Sequence, residues 1–192
     1  VANRGKPDCR PGGQALANGR VGKNGAENPS AQCLPSAATR LGPLFAFAQT
    51  KQVLVIISDD ESPGFHQIHL DRSAHPKELD MDLWYGDPIG RWEGDTLVVD
   101  VTDFNDMTWF DRAGNFHSDQ LHVSERFTPI SPDAIQYEAT IEDPQVFTRP
   151  WKISMPLYRR LEPNAQLVEY RCQEFVEEFL YGHLRKEQLV RH

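Results

Sequence analysis

The chain has 192 residues and a formal net charge of −8, and 39% of its residues are hydrophobic and 10% aromatic. This length and composition suit one domain with a buried core and argue against disorder. An acidic chain without a basic run is not typical of a nucleic-acid binder, and its longest apolar runs are too short to span a bilayer. We therefore expect no nucleic-acid partner and no membrane span.

The first part of the chain differs in composition from the rest. Residues 1–36 are rich in Gly, Pro, Asn and Ala and lack a period of 2 or 3.6, which predicts an irregular N-terminal arm. Residues 37–192 are interpreted as a single domain. Within it, short apolar or alternating runs bounded by turn residues predict strands at residues 44–48, 53–58, 65–71, 89–93, 96–101, 121–128, 135–141, 151–157 and 166–172.

The pattern changes after the last predicted strand. From residue 173 onward apolar residues recur at helical spacing, which predicts a closing amphipathic helix with the stripe Phe175, Val176, Phe179, Leu180 and Leu184. Many short strands with few helical crossovers favour a mainly β, antiparallel fold. A lipocalin-like β-barrel is the first expectation and a jelly-roll-like sandwich the second.

The clearest local signal is a hairpin around Gly94 and Asp95. Glycine supplies the positive φ that a two-residue turn needs, and this turn would pair Trp92 with Leu97. Trp92 is then expected in the core. The opposite face carries Arg91, Glu93, Thr96, Val98 and Asp100. That face is either solvated or, if it lines a barrel lumen, a polar pocket wall.

Groups able to exchange protons are concentrated between residues 111 and 126. A histidine near a carboxylate is the minimum equipment for general acid–base catalysis, so His117 is the predicted acid/base group and Asp111 its orienting carboxylate. The alternative is a solvated His117 beside a turn capped by Ser118 and Asp119. His122 is a further candidate in the same segment.

Strand alternation separates the last members of this segment. Glu125 falls on the apolar face, whereas His122 and Arg126 share the other face. A carboxylate among apolar neighbours must be paired or have its pKa raised by desolvation. Glu125 is therefore interpreted either as a proton-transfer group, with Arg126 or Arg91 setting the electrostatics, or as the partner of Arg91 in an ion pair.

Substrate binding is assigned to aromatic residues in or near loops. Trp109, Trp84, Tyr85 and Trp151, together with Arg91, are the predicted substrate-binding residues. No resident cofactor is predicted. A metal site formed by His117, His122 and a carboxylate such as Asp111 is kept as an alternative, although no HxH or HExxH motif supports it.

Several long motifs resemble those of a largely uncharacterised family of exported bacterial proteins. The motifs are Gly90-Arg-Trp-Glu-Gly-Asp-Thr-Leu-Val-Val-Asp100, His117-Ser-Asp119 with His122, Glu125-Arg-Phe127, Thr140-Ile-Glu-Asp-Pro144 and Thr148-Arg-Pro-Trp151. The resemblance implies export to the periplasm or outside the cell. It also implies that Cys33 and Cys172 match recurrent cysteines of the family, which favours a Cys33–Cys172 disulfide over one between Cys9 and Cys33.

These observations favour a small-molecule enzyme. We expect a cofactor-free lyase, isomerase or hydrolase that acts on a small organic molecule in an aromatic-lined barrel pocket. The alternatives are a periplasmic binding or carrier protein, a metal-assisted enzyme, and an interaction module that uses its terminal segments.

Overall fold

The computed structural model describes residues 29, 33–35, 39, 41, 44–59, 64–76, 83–111, 114–167 and 172–184. In these ranges the chain forms β1 (Phe45–Gln49), β2 (Val53–Ser58), β3 (Gly64–His69), β4 (Asp87–Glu93), β5 (Thr96–Thr102), β6 (His122–Ser131), β7 (Ala134–Glu142), β8 (Trp151–Tyr158), α1 (Val176–Tyr181) and a 3-10 turn (Gly182–Leu184). The eight strands form one sheet in chain order, curled into a half-barrel. The predicted mainly β, barrel-like fold with a C-terminal helix is confirmed, and a single sheet replaces the alternative sandwich.

The core lies on the inner face of the curled sheet. Alternate residues of the central strands are buried there, including Leu97, Val99, Val101, Val123, Phe127, Tyr137, Ala139 and Ile141. The ring of Phe47 on β1 lies 6.0 Å from that of Phe127 on β6, although these strands are not neighbours in the sheet. Burial of this apolar surface is the main driving force that holds the sheet curled.

Two glycines allow the turns and close approaches around β4. β3 and β4 pair in parallel through His69 and Ile89, whereas the other neighbouring strands are antiparallel. A Cβ atom on Gly90 would lie 2.7 Å from Cγ2 of Ile68, so this junction requires glycine. Gly94 has a φ of 61° in the predicted β4–β5 turn.

The predicted hairpin register is confirmed, but the predicted burial of Trp92 is wrong. Trp92 pairs with Leu97 as expected. Its side chain is nevertheless 50% exposed, because it lies next to the turn, where the buried cluster has ended. Strand alternation therefore predicted the correct face of the sheet but not the end of the core along that face.

The C-terminal region differs from the sequence-based expectation. Gln166, Leu167 and Cys172 of the predicted ninth strand are not in a strand, and residues 168–171 lie outside the described residues. Helix α1 is shorter than its apolar stripe, because Phe175 has a φ of 54° and cannot be part of it. The stripe is also exposed, with Phe179 at 85%.

A disulfide joins Cys33, before β1, to Cys172, before α1. Their Cα atoms lie 5.6 Å apart, and this pairing is the one that the resemblance implied. Cys9 and most of the predicted arm, residues 1–36, lie outside the described residues, so the arm and its boundary stay predictions. Within the described ranges, no helix has the length and apolar character needed to cross a membrane.

Candidate functional site

The segment that follows β3 crosses the outer face of β4 and β5. Strand alternation places Asp87, Ile89 and Arg91 of β4 on this face, together with Asp100 of β5, because cross-strand partners point to the same side. The segment at residues 70–76 lies over these side chains. This crossing brings polar groups from distant parts of the sequence together.

His75 links the crossing segment to two carboxylates of the sheet. Its Nδ1 lies 3.0 Å from Oδ2 of Asp87, and its Nε2 lies 3.0 Å from Oδ2 of Asp100. Arg72, in the same segment, donates a hydrogen bond of 3.0 Å from Nη1 to Oδ1 of Asp87. Because carboxylates accept hydrogen bonds, this arrangement favours the form of His75 with a proton on both ring nitrogens, the imidazolium.

The pKa values of these groups agree with that charge state. Burial alone would lower the pKa of His75, but its hydrogen bonds to Asp87 and Asp100 and their negative charges outweigh burial and raise the pKa above its ordinary value. Burial would raise the pKa of Asp100, but hydrogen bonds from His122 and His75, with their charges, lower it. Asp100 is thus held ionised beside a cation.

His122 extends this chain of hydrogen bonds toward solvent. Its Nε2 donates to Oδ1 of Asp100 at 2.7 Å, and 38% of its side chain is exposed. Its Nδ1 forms no hydrogen bond with any described residue. Asp100 therefore has a histidine on each carboxylate oxygen.

A cavity of about 570 Å³ borders the chain of hydrogen bonds. Asp100 and His75 form part of its wall, so this hydrogen-bonded pair borders the space where a ligand would sit. The remaining lining residues are Leu70, Arg72, Ser73, Ala74, Ile89, Gly90, Arg91 and Trp92. The cavity thus combines an acid–base pair with guanidinium and apolar groups.

His117 lies elsewhere, in the interior. It is 2% exposed, and its ring contacts those of Phe104 and Phe110. Thr108 donates a hydrogen bond to Nε2 at 2.6 Å, while Nδ1 donates to the carbonyl oxygen of Ser118 at 3.0 Å. Both ring nitrogens are thus occupied by groups other than Asp111, which accepts hydrogen bonds from Asn115. This geometry favours a structural role for His117 rather than the predicted acid/base role.

Replacing His117 with Ala is expected to lower the free energy of unfolding by about 2–4 kcal/mol, because it leaves a cavity and two unpaired polar groups. Burial, the dominant influence, lowers the pKa of His117. The stability that depends on neutral His117 is therefore present above its ordinary pKa and is lost as the pH falls through the lowered pKa. Urea unfolding at several pH values measures both effects. An unchanged midpoint would contradict the structural role.

Glu125 and Arg126 point to opposite sides of β6, as predicted. Glu125 is buried and accepts a hydrogen bond of 2.6 Å from the hydroxyl of Tyr137, and burial raises its pKa to about 7. Arg126 and Arg91 both bind Glu93 on the outer face. The ion pair of Glu125 with Arg91 is therefore not formed.

The predicted substrate-binding aromatic residues do not converge. Trp109 is buried in a bridge with Phe116, and Trp151 packs against Phe110 and Phe147. Half-buried Trp84 precedes Tyr85, whose ring lies 4.2 Å from that of His66. Arg91 lines the cavity, as does Trp92.

The alternative metal site is not formed by the predicted ligands. No group of three or more His, Cys, Asp and Glu side chains in the described part of the chain is arranged to hold a metal ion. His122 hydrogen-bonds to Asp100, whereas His117 is enclosed by Thr108 and Ser118. His117, His122 and Asp111 therefore do not form a shared site in this structure.

Sequence reasoning missed His75, Asp87 and the role of Arg72. They are far from Asp100 along the chain, and His75 lies in a segment without periodicity. One signal was available in the sequence. The predicted hairpin places Asp100 on a polar face, and strand alternation points His122, on the next strand, to the same face. Comparison of the chain with protein-family models, with curated proteins and with solved structures gave no match.

Proposed function

We propose that this protein is a small-molecule enzyme that catalyses proton transfer, a lyase or isomerase, in the cavity beside Asp100. The observation that supports this proposal is the position of Asp100, which faces the cavity and is hydrogen-bonded to both His75 and His122. Proton abstraction next to a carbonyl group needs a base, a nearby positive charge and a route for the proton.

Each of these requirements has a residue in the site. Ionised Asp100 is the base that takes a proton from the bound substrate. Both N–H groups of His75 stay bound to Asp87 and Asp100, so its positive charge stabilises the negative charge that develops on the substrate through space and not by a hydrogen bond. Protonated Asp100 then gives the proton back to another atom of the substrate in an isomerase, or to water in a lyase. His122, which donates from Nε2 to Oδ1, holds the carboxylate in place during this step.

Hydrolysis by a nucleophilic side chain is less well supported. Ser73 is the hydroxyl residue in the cavity wall, and it has no hydrogen bond to a base among the described residues. A nucleophilic serine needs such a base to be activated.

The test is hydrogen exchange into small carbonyl compounds in deuterated water, followed by proton NMR. This assay detects proton abstraction without knowledge of the natural product. Replacing Asp100 with Asn is expected to reduce the exchange rate by about 10²–10⁴-fold, the usual contribution of a general base. Asp119→Asn, at an exposed position, is the matched control and should leave exchange unchanged.

The results separate the proposal from its alternatives. Equal exchange in the Asp100→Asn and Asp119→Asn variants would contradict the assignment of Asp100 as the base. A carrier protein is the second candidate, favoured by the apolar residues Leu70, Ala74 and Ile89 in the cavity wall. A ligand that binds there and is released intact would support the carrier.

We also propose that the protein is exported, to the periplasm or outside the cell. The Cys33–Cys172 disulfide supports this location, because disulfides persist mainly in oxidising compartments. The motif resemblance to exported bacterial proteins is consistent with it. Fractionation of the producing cells tests the location, and a cytosolic protein with free thiols would contradict it.

A further inference from the structure

We infer that the cavity beside Asp100 binds a small organic acid, a carboxylate attached to an apolar body. This inference rests on the proposed function, since it names the substrate class of the same cavity. The charge and polarity of the cavity wall support it.

The cavity wall is more positive than the protein as a whole. The chain carries a net charge of −8. The ionisable side chains that line the cavity are nevertheless Arg72, His75 and Arg91 on the positive side and Asp100 on the negative side. Asp87 pairs with Arg72 and His75, and Glu93 pairs with Arg91, so carboxylates beside the wall offset much of this positive charge. The preference for an anion therefore depends on the guanidinium N–H groups that these pairs leave unused, rather than on net charge.

Two guanidinium groups in this wall have N–H groups that no described residue binds. Arg91 uses Nε and Nη2 to bind Glu93, and its Nη1 has no hydrogen bond with the described residues. Arg72 uses Nη1 to bind Asp87, and its Nη2 and Nε have no partner in the described ranges. The bound carboxylates hold the two guanidinium groups in place while free N–H groups remain, an arrangement that suits a further carboxylate.

The rest of the wall is apolar. Leu70, Ala74 and Ile89 line the cavity, and Ile89 shares the outer face of the sheet with Arg91 and Asp100. The ligand's carboxylate would face the guanidinium groups, and its apolar part would lie on Ala74 and Ile89.

The experiment compares two unreactive probes, benzoate and benzamide, by titration calorimetry with the full chain. They have the same ring and nearly the same shape, but only benzoate is an anion. Benzoate is expected to bind about tenfold or more tightly than benzamide, since hydrogen bonds to an ionised group are stronger than neutral ones. Added salt should weaken the binding of benzoate more than that of benzamide.

Two arginine variants provide a matched pair. Arg91 and Arg126 both bind Glu93, but only Arg91 is among the residues that line the cavity. Arg91→Gln is expected to weaken benzoate binding by about tenfold, and Arg126→Gln by less than about twofold.

Three outcomes would overturn the inference: equal affinity for benzoate and benzamide, equal effects of Arg91→Gln and Arg126→Gln, and no binding of benzoate. The failure of the proposed function has a different signature. If benzoate binds as expected but exchange does not depend on Asp100, the acid-binding site stands and the catalytic proposal fails. If exchange depends on Asp100 but shows no preference for carboxylates, the substrate class is wrong and the catalytic proposal stands.

Discussion

Replacing Glu125 with Gln is expected to make the protein less sensitive to high pH. Glu125 is buried beside Tyr137, and burial raises its pKa from 4.5 to about 7. The native chain therefore gains stability while Glu125 is protonated and loses it as the pH rises through about 7. A pKa shift of this size corresponds to about 3 kcal/mol of folding stability. As the pH rises from about 4 to about 9, the free energy of unfolding of the variant should therefore increase by about 3 kcal/mol relative to that of the native chain.

Denaturant unfolding of both proteins across this pH range measures the effect. The two proteins are compared by how their free energy of unfolding changes with pH, so a pH-independent difference caused by the buried amide cancels. Glu142→Gln, at an exposed position at the end of β7, controls for the loss of a negative charge elsewhere. A native chain and a Glu125→Gln variant with parallel pH profiles would contradict the buried, uncharged state of Glu125.

Tyr137→Phe provides a second check of the same pair. The hydroxyl of Tyr137 donates to Glu125 and so lowers the carboxyl pKa, in opposition to burial. Its removal is expected to move the midpoint of the stability loss to a higher pH. A midpoint that moved to lower pH would show that the hydroxyl does not stabilise the ionised form.

Loss of the Cys33–Cys172 disulfide is expected to lower the free energy of unfolding substantially. The two cysteines are separated by 139 residues, so the bond restricts a very long loop of the unfolded chain. The chain-entropy relation gives about 5 kcal/mol for a loop of this length, and measured losses for native disulfides are typically about 2–5 kcal/mol. Unfolding of a Cys33→Ser, Cys172→Ser double variant measures the loss.

Cys9→Ser is the matched control, and peptide mapping of the oxidised native chain is the accompanying measurement. The control variant should retain the Cys33–Cys172 link and the native stability. A mapped link between Cys9 and Cys33, or a Cys9→Ser variant as unstable as the double variant, would contradict the pairing in the structure.

Local patterns were sufficient to predict the hairpin and the faces of the central strands. The turn at Gly94 fixes the pairing of Trp92 with Leu97, and alternation alone places Glu125 inward and His122 outward. These predictions depend on neighbours in sequence or on a period of two residues. Both are readable without a structure.

The composition of the site was not predictable by the same means. His75 reaches Asp100 because the segment after β3 crosses the sheet. No periodicity of apolar residues in the sequence predicts that crossing. His117 looked like a catalytic residue because polar residues surround it in the sequence. In the structure Thr108 and Phe104 enclose its ring, since the loop folds back into the interior. Proximity along the chain was a poor guide to proximity in space.

Among the described residues, β1 and β8 have no outer neighbour in the sheet, and these two strands differ in their tendency to aggregate. β8 contains Lys152 and Pro156; a charged side chain discourages pairing with another chain, and proline removes a backbone donor. β1, with the sequence Phe-Ala-Phe-Ala-Gln, has neither, and four of its five residues are exposed. Intermolecular strand pairing should therefore begin at β1 rather than at β8, and a lysine substitution for Ala46 or Ala48, which point away from the core, is the natural way to prevent it.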